Sequence, residues 1–206
     1  NGKTGAVTFI GTVSPAGGNL KEPVTESTKK AARCFYGLEQ NRADQKRYPA
    51  VNPIESYSKY LEYPEIISWL DEQVEHGWVA NVIKAKNLLR KGREANEQIN
   101  ILGDDGVPVA YHVSFWKSEL IDFVFLQQDA FDETDALCPM DRQKYMLDLV
   151  LDICDIDFDF EDFEKCREFF KELINDLRQM NYTKFHSEEF ENYANKINKL
   201  IEDYGK

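Results

Sequence analysis

An excess of basic charge is what these 206 residues most clearly lack: 25 Lys and Arg stand against 37 Asp and Glu, for a formal charge of −12. Nucleic-acid binding relies on clustered Lys and Arg that displace counterions, so no nucleic-acid partner is expected. Long apolar runs are missing too. None reaches the roughly 20 residues of a membrane span, and the N-terminus lacks the basic, apolar, small-residue order of a secretion signal, so a cytoplasmic chain without direct membrane insertion is expected. Cysteine is sparse, and Cys34, Cys138, Cys154 and Cys166 form no CxxC pair, which reads as reduced thiols placed mostly in the core. The three histidines, His76, His112 and His186, make no HxxxH or HExxH pattern. A zinc site or a histidine-based triad is therefore unsupported.

What is present is apolar material, 42% hydrophobic and 13% aromatic, enough for a packed core or two small ones. Charge is unevenly placed. Residues 1–60 carry nine Lys and Arg against five Asp and Glu, a balance of +4, whereas residues 61–206 carry 16 against 32, a balance of −16. Two segments of different character meet near Tyr60.

The first segment opens with GAVTFIGTV over 5–13, a β-branched alternating run closed by SPAGG, which predicts one strand entering a loop. Thr25 is a candidate cap for a helix over 25–38, in which Ala31, Ala32, Phe35 and Leu38 recur at helical spacing. A second extended run is expected around 48–54, with no strand signal after it. Strand, helix and strand make the edge of an α/β sheet that is too short to be whole, so the missing strands are expected upstream of residue 1. The remainder reads as helices over 56–76, 78–101, 113–128, 139–154, 159–180 and from about 187. Gly77 and the stretch 103–106 act as breaks and Pro139 as a start. Short connections favour antiparallel neighbours and hence a bundle. The fold class is mainly α: a C-terminal helical bundle over 61–206, preceded by a truncated α/β edge over 1–60.

Several motifs have competing readings. NGKT over 1–4 imitates the end of a phosphate-binding loop, but the spacing between glycines is absent and a β-run follows where a helix is required. The loop 14–19 is a turn by composition, with a nucleotide-facing role as the alternative. Tyr48 before Pro49 is either a packed aromatic or one presented to a flat ligand. The acids over 152–162 lack the glycine of a calcium loop and read as a negative helix N-terminus. Aromatic stripes on the last two helices read as core, with a docking surface as the alternative. LQQDAFDE over 126–133 places Phe131 on a loop beside polar side chains, where binding residues concentrate.

Three blocks, GTVSPAGGNLKEPVT over 11–25, YPAVNPIESYS over 48–58, and LQQDAFDE with Cys138-Pro139, resemble the C-terminal part of the catalytic A subunit of vacuolar and archaeal-type rotary ATPases. They occur in family order and cover about 4–152. The resemblance implies an ATPase or ATP synthase that moves protons or sodium, with B subunits and central-stalk subunits as partners. It places the complex at the membrane as a peripheral assembly. It also implies that ATP or ADP and Mg2+ bind the parent subunit, with the phosphate-binding loop, the magnesium-binding acid and the catalytic carboxylate all upstream of residue 1. A chain without them is expected to be inactive alone.

By the same resemblance Tyr48 and Phe131 flank the adenine ring, with Gln128, Asp129 and Ala130 along its edge. Tyr48 stands where the family more often has Phe, and Asn52-Pro53 where Asn-Trp is common. The shaft-contacting loop maps to 103–108, with Asp104 and Asp105 as contact residues, and the family's charged stretch there is replaced by VAYHV over 109–113. From composition alone, a non-enzymatic acidic helical module that binds another protein is the alternative.

Overall fold

The computed structural model describes residue 2 and residues 4–204; Asn1 and Lys3 of the phosphate-loop-like tetrapeptide lie outside them. The run 5–13 is not a strand. It has no regular structure and leaves Val7, Phe9 and Ile10 almost fully exposed. A strand persists only when its backbone groups enter a ladder, and among the described residues no other strand lies beside this one. A one-turn 3-10 helix, Ala16–Gly18, follows, with Gly17 and Gly18 at φ 62° and 71°, a conformation that glycine adopts without steric penalty.

Helix α1, Pro23–Ala31, starts on a proline at its first position. Thr25 lies inside the helix rather than capping it, and its buried hydroxyl donates to Glu22 Oε1 at 3.0 Å. The expected continuation to residue 38 does not form. Strand β1, Cys34–Phe35, instead pairs antiparallel with β2, Tyr57–Ser58, in the register Cys34 to Ser58 and Phe35 to Tyr57. A partner 22 or more residues away thus overrides the local helical spacing, and Phe35 meets the Tyr57 ring at 5.9 Å. Leu38 and Val51 form an isolated bridge beyond the short helix α2, Gln40–Asp44.

A 3-10 turn, Lys59–Glu62, leads to α3, Pro64–Gln73, so the helix expected over 56–76 begins at a proline and not before it. Gly77, at φ 88°, turns the chain into the long helix α4, Trp78–Leu102. After a 3-10 turn, Asp104–Gly106, helix α5, Val109–Leu120, folds back along α4 and passes into a π-helical turn, Ile121–Leu126. A single turn, α6, Glu133–Ala136, interrupts the expected loop. The last three helices are α7, Met140–Asp155; α8, Phe163–Asn181; and α9, Glu188–Tyr204. No helix among the described residues is long and apolar enough to cross a membrane.

The core lies among α4, α5, the π-turn, α7, α8 and α9, and the aromatic stripes of the last two helices supply Phe169, Phe170 and Phe190 to it. Beyond the end of α7 at Asp155, the acidic run before α8 is extended rather than helical. Asp157 and Asp159 are exposed while Phe158 and Phe160 are buried, the period of two that an extended chain imposes. The helix itself begins at Phe163, where the Asp162 carboxylate accepts from Lys165 N–H at 2.8 Å. Arg142, almost fully buried on α7, donates to the main-chain oxygens of Met180, Asn181 and Thr183 and so caps the C-terminus of α8. Of the four free thiols, Cys154 and Cys166 are buried, and burial pushes both up to about 12; Cys34 and Cys138 are half-buried.

Helices α4 and α5 touch through Gly92, where an added Cβ would overlap the Ser118 side chain. Gly92→Ala is expected to destabilise the chain by about 1–3 kcal/mol, the usual cost of overpacking. Adding Ser118→Gly should recover part of it. Thermal melts of the three proteins check this, and an unchanged midpoint for Gly92→Ala would mean that the helices are not in close contact there.

Candidate functional site

The residues singled out from sequence fall in two places, at opposite ends of the continuous rod formed by α5 and the π-turn. Eighteen residues at 1.5 Å rise give a separation of about 25 Å.

At one end, α2 stops at Asp44 and Lys46 takes φ 58°, which turns the chain so that Arg47 N–H donates to Arg42 O at 2.8 Å. This places both arginines against one carboxylate. Arg42 donates from Nη1 and Nη2 to the two oxygens of Asp122 at 2.8 and 2.7 Å. Arg47 donates in the same two-pronged way to Glu119 at 3.0 and 2.8 Å and adds a third bond to Asp122 at 2.5 Å. Arg42 and Asp122 are only 8% and 5% exposed. Two cations meet two anions, so the cluster is neutral as a whole, the condition under which charge tolerates burial. Burial pulls the Arg47 pKa down, but the bonds and charges of Glu119 and Asp122 outweigh it and hold the guanidinium above its ordinary value. The Arg47 guanidinium also lies 4.4 Å over the Phe123 ring.

None of these four charged residues was singled out from the sequence. A signal existed in Asp122, the only acid in the otherwise apolar run IDFVFL.

The π-turn closes when Gln127 N–H donates to Asp122 O at 2.9 Å, and the next residue then meets the arginine segment: Gln128 N–H donates to Tyr48 O at 2.8 Å. Segments 80 residues apart in sequence thus bring together Tyr48 and the loop that carries Ala130 and Phe131. The loop is held from within. Gln128 Nε2 donates to Asp135 O at 2.6 Å, Asp129 N–H to Asp135 Oδ2 at 2.6 Å, and Phe131 N–H to Asp129 Oδ1 at 2.9 Å. Asp132 caps α6 by accepting from Thr134 and Asp135 N–H at 2.9 Å. Such internal bonding presents Phe131 at 100% exposure, beside an exposed Ala130, while Tyr48 is 52% exposed. Apolar rings left this open are an available stacking surface.

Beneath the loop is a cavity of about 180 Å³, lined by Gln127, Gln128, Asp135, Cys138 and Asn181 among others. The buried Gln127 Oε1 has no partner in it.

At the far end of the rod, Asp104 and Asp105 are exposed on the 3-10 turn between α4 and α5. The Asp104 carbonyl lies 3.0 Å from Nε2 of buried His112, whose ring stacks on Phe163 at 5.2 Å. The stretch 109–113, counted with this loop in the sequence reading, is instead the first turn of α5, because the chain turns at Pro108 and becomes helical at Val109.

Burial pushes the Asp135 carboxyl above its ordinary value, against the opposing Asp129 N–H and the charge of Arg142. An acid raised by folding stabilises fully below its unfolded pKa, and this contribution is lost as pH rises through the folded value. Asp135→Asn removes that loss while keeping an acceptor for Asp129 N–H. It should melt above the parent chain at pH 7, with the two curves converging below about pH 4; a difference that stays constant across pH would overturn this account.

Comparison with known proteins gives two family matches in chain order. Residues 1–58 match the nucleotide-binding domain of the ATP synthase alpha/beta family, and residues 67–156 match the C-terminal domain of V and A type ATP synthase. The V-type ATP synthase alpha chain of Protochlamydia amoebophila is 39% identical over 202 residues, and those of Chlamydia pneumoniae and Chlamydia abortus are 41% and 40% identical. Each match covers 98% of this chain and 34% of the relative, so the chain spans about a third of the length of the curated relatives it matches. A solved structure of an ATP synthase subunit, NeqB from Nanoarcheaum equitans, shares the fold with a TM-score of 0.51 at 16% identity, covering 68% of this chain and 32% of that one. With both family models in chain order and relatives near 40% identity along nearly its whole length, the chain belongs to the family of V-type ATP synthase alpha chains, over the edge of their nucleotide-binding domain and their C-terminal domain.

Proposed function

We propose that this chain supplies two parts of the catalytic A subunit of a rotary ATPase or ATP synthase: an adenine clamp and a lever. The clamp is Tyr48 and Phe131, with Gln128 and Ala130 along the base edge. The observation that carries it is the Gln128 N–H to Tyr48 O bond, which brings two family motifs together and leaves both rings open to solvent. Adenine offers two π faces, and stacking on an aromatic is worth ~1–3 kcal/mol per base. The lever is the rod of α5 and the π-turn, with Asp104 and Asp105 at its distal loop as the contact to the central stalk. In this reading residues 1–60 are the edge of the nucleotide-binding domain, residues 61–206 are the helical domain, and B subunits flank the clamp. The assembly is peripheral to the membrane and couples ATP turnover to proton or sodium movement.

The phosphate chemistry lies outside these residues. The sequence has no complete phosphate-binding loop. Among the described residues no group of three or more His, Cys, Asp or Glu side chains converges as a metal site. In this reading the Mg2+ that accompanies ATP is held by the rest of the subunit, as the family resemblance implies.

Tyr48→Ala and Phe131→Ala in the whole subunit should each weaken ATP and ADP binding by about tenfold, the equivalent of one lost stack, while Tyr48→Phe retains affinity. Equilibrium titration with nucleotide measures this, and unchanged affinity in both alanine variants would rule out the clamp. The isolated chain should show no magnesium-dependent ATP hydrolysis.

A further inference from the structure

We propose that Arg47 is a positioning residue for the adenine clamp, holding the backbone of Tyr48 in register with the loop that presents Phe131. The proposal rests on the clamp reading above and adds to it what sets the spacing of its two halves.

Four links form a closed ring. The Arg47 side chain is bonded to Asp122; the Asp122 carbonyl accepts from Gln127 N–H; Gln128 N–H donates to the Tyr48 carbonyl; and Tyr48 is joined to Arg47 by the peptide bond. Residue 48 is therefore tied to the stretch 122–128 on two sides, once through its neighbour's guanidinium and once through its own carbonyl. The guanidinium is itself over-determined. Glu119 takes both of its terminal nitrogens, and Phe123 lies under its plane. The Tyr48 ring adds only a long bond, from its hydroxyl to Ala43 O at 3.4 Å. Its placement thus depends on the backbone more than on its own polar contact.

Arg42 occupies a different place. Its side chain is paired with Asp122 alone and it sits five residues before Arg47, so it secures α2 and reaches Tyr48 only through the Arg47 N–H to Arg42 O bond. The partition follows from Arg47's neighbours. It reaches the last turn of α5 and the π-turn at once, and it is covalently next to the ring that would touch the base. A clamp fixed in advance binds tightly because less freedom is lost when the ligand arrives.

The test uses the whole subunit assembled in its complex, with ATP and inorganic tripolyphosphate as paired ligands. Tripolyphosphate carries the phosphates without the base. Arg47→Gln should weaken ATP by about tenfold and leave tripolyphosphate within about twofold, and Arg47→Lys, which keeps the charge but not the fork, should fall between. In a Tyr48→Ala background Arg47→Gln should have little further effect, because a residue that acts through another is not additive with it.

Unchanged ATP affinity in Arg47→Gln overturns the proposal, as does full additivity with Tyr48→Ala. A parallel loss of tripolyphosphate binding also overturns it by showing a general structural role. If Tyr48→Ala alone leaves ATP binding intact, the clamp reading itself fails and the proposal falls with it, an outcome distinct from the other three. Should Arg47→Gln not assemble, Arg47→Lys and Glu119→Gln answer the same question under the same criteria.

Discussion

Asp122 is a carboxylate placed inside an apolar turn, and the join between the N-terminal segment and the helical bundle depends on its being neutralised there. Burying an unpaired charge costs several kcal/mol, and breaking a buried pair by removing one partner typically costs about 3–5 kcal/mol. Arg42 and Arg47 reach Asp122 only because α2 ends at Asp44 and Lys46 reverses the chain, so local turn geometry, side-chain charge and long-range contact must agree. Glu119 completes the balance. Other polar links across this boundary are the Gln128 N–H to Tyr48 O bond at 2.8 Å, the Lys86 Nζ donation to Ser56 O at 2.7 Å, and Arg93, which lies 3.8 Å from Glu55. The latter pair is exposed enough that solvent screening leaves it little value.

The π-turn gives Asp122 its reach. Ile121, Asp122 and Val124 are all buried within four residues of it. One side of the turn packs into the bundle, where Asn181 Nδ2 donates to Val124 O at 2.8 Å; the other faces the arginines. The turn continues α5, so one helical rod joins the Asp104 loop to the Tyr48 segment. That continuity is the physical basis for treating the rod as a lever. The cap that Arg142 places on α8 secures the bundle side, since Asn181 belongs to the same capped turn.

Much of the helical domain was legible in the sequence because its elements are long and strongly periodic. Gly77, Gly103 and Pro139 punctuate the chain where the helices α4 and α7 begin or end, and the Phe169, Phe170 and Phe190 stripes are in the core as their spacing implies. Legibility failed where partners far away in the chain decide the outcome. The run 5–13 has strand composition but no neighbour to pair with among the described residues, whereas Cys34 and Phe35 have helical spacing and pair with residues 57–58. The acids over 152–162 read as a helix N-terminus, yet the alternation of Asp157 and Asp159 with Phe158 and Phe160 is itself an extended signature. In the candidate site, Tyr48 and Phe131 were identified through family resemblance, and the four charges behind them were not identified at all. Arg42 and Arg47 look like any surface cations in a segment with a balance of +4 until Asp122 is placed against them.

By itself the sequence determined the division into a mildly basic N-terminal segment and a strongly acidic helical remainder, the helical class, and the motifs that point to a nucleotide. The first two follow from composition, periodicity and short-range spacing, and the last from family resemblance. Tertiary structure alone decided which backbone carbonyl meets Gln128, which carboxylate the arginines share, and that the aromatic loop is held out into solvent. The first two contacts link residues about 80 positions apart, and their energies come from burial and charge balance, which have no value until the chain is folded.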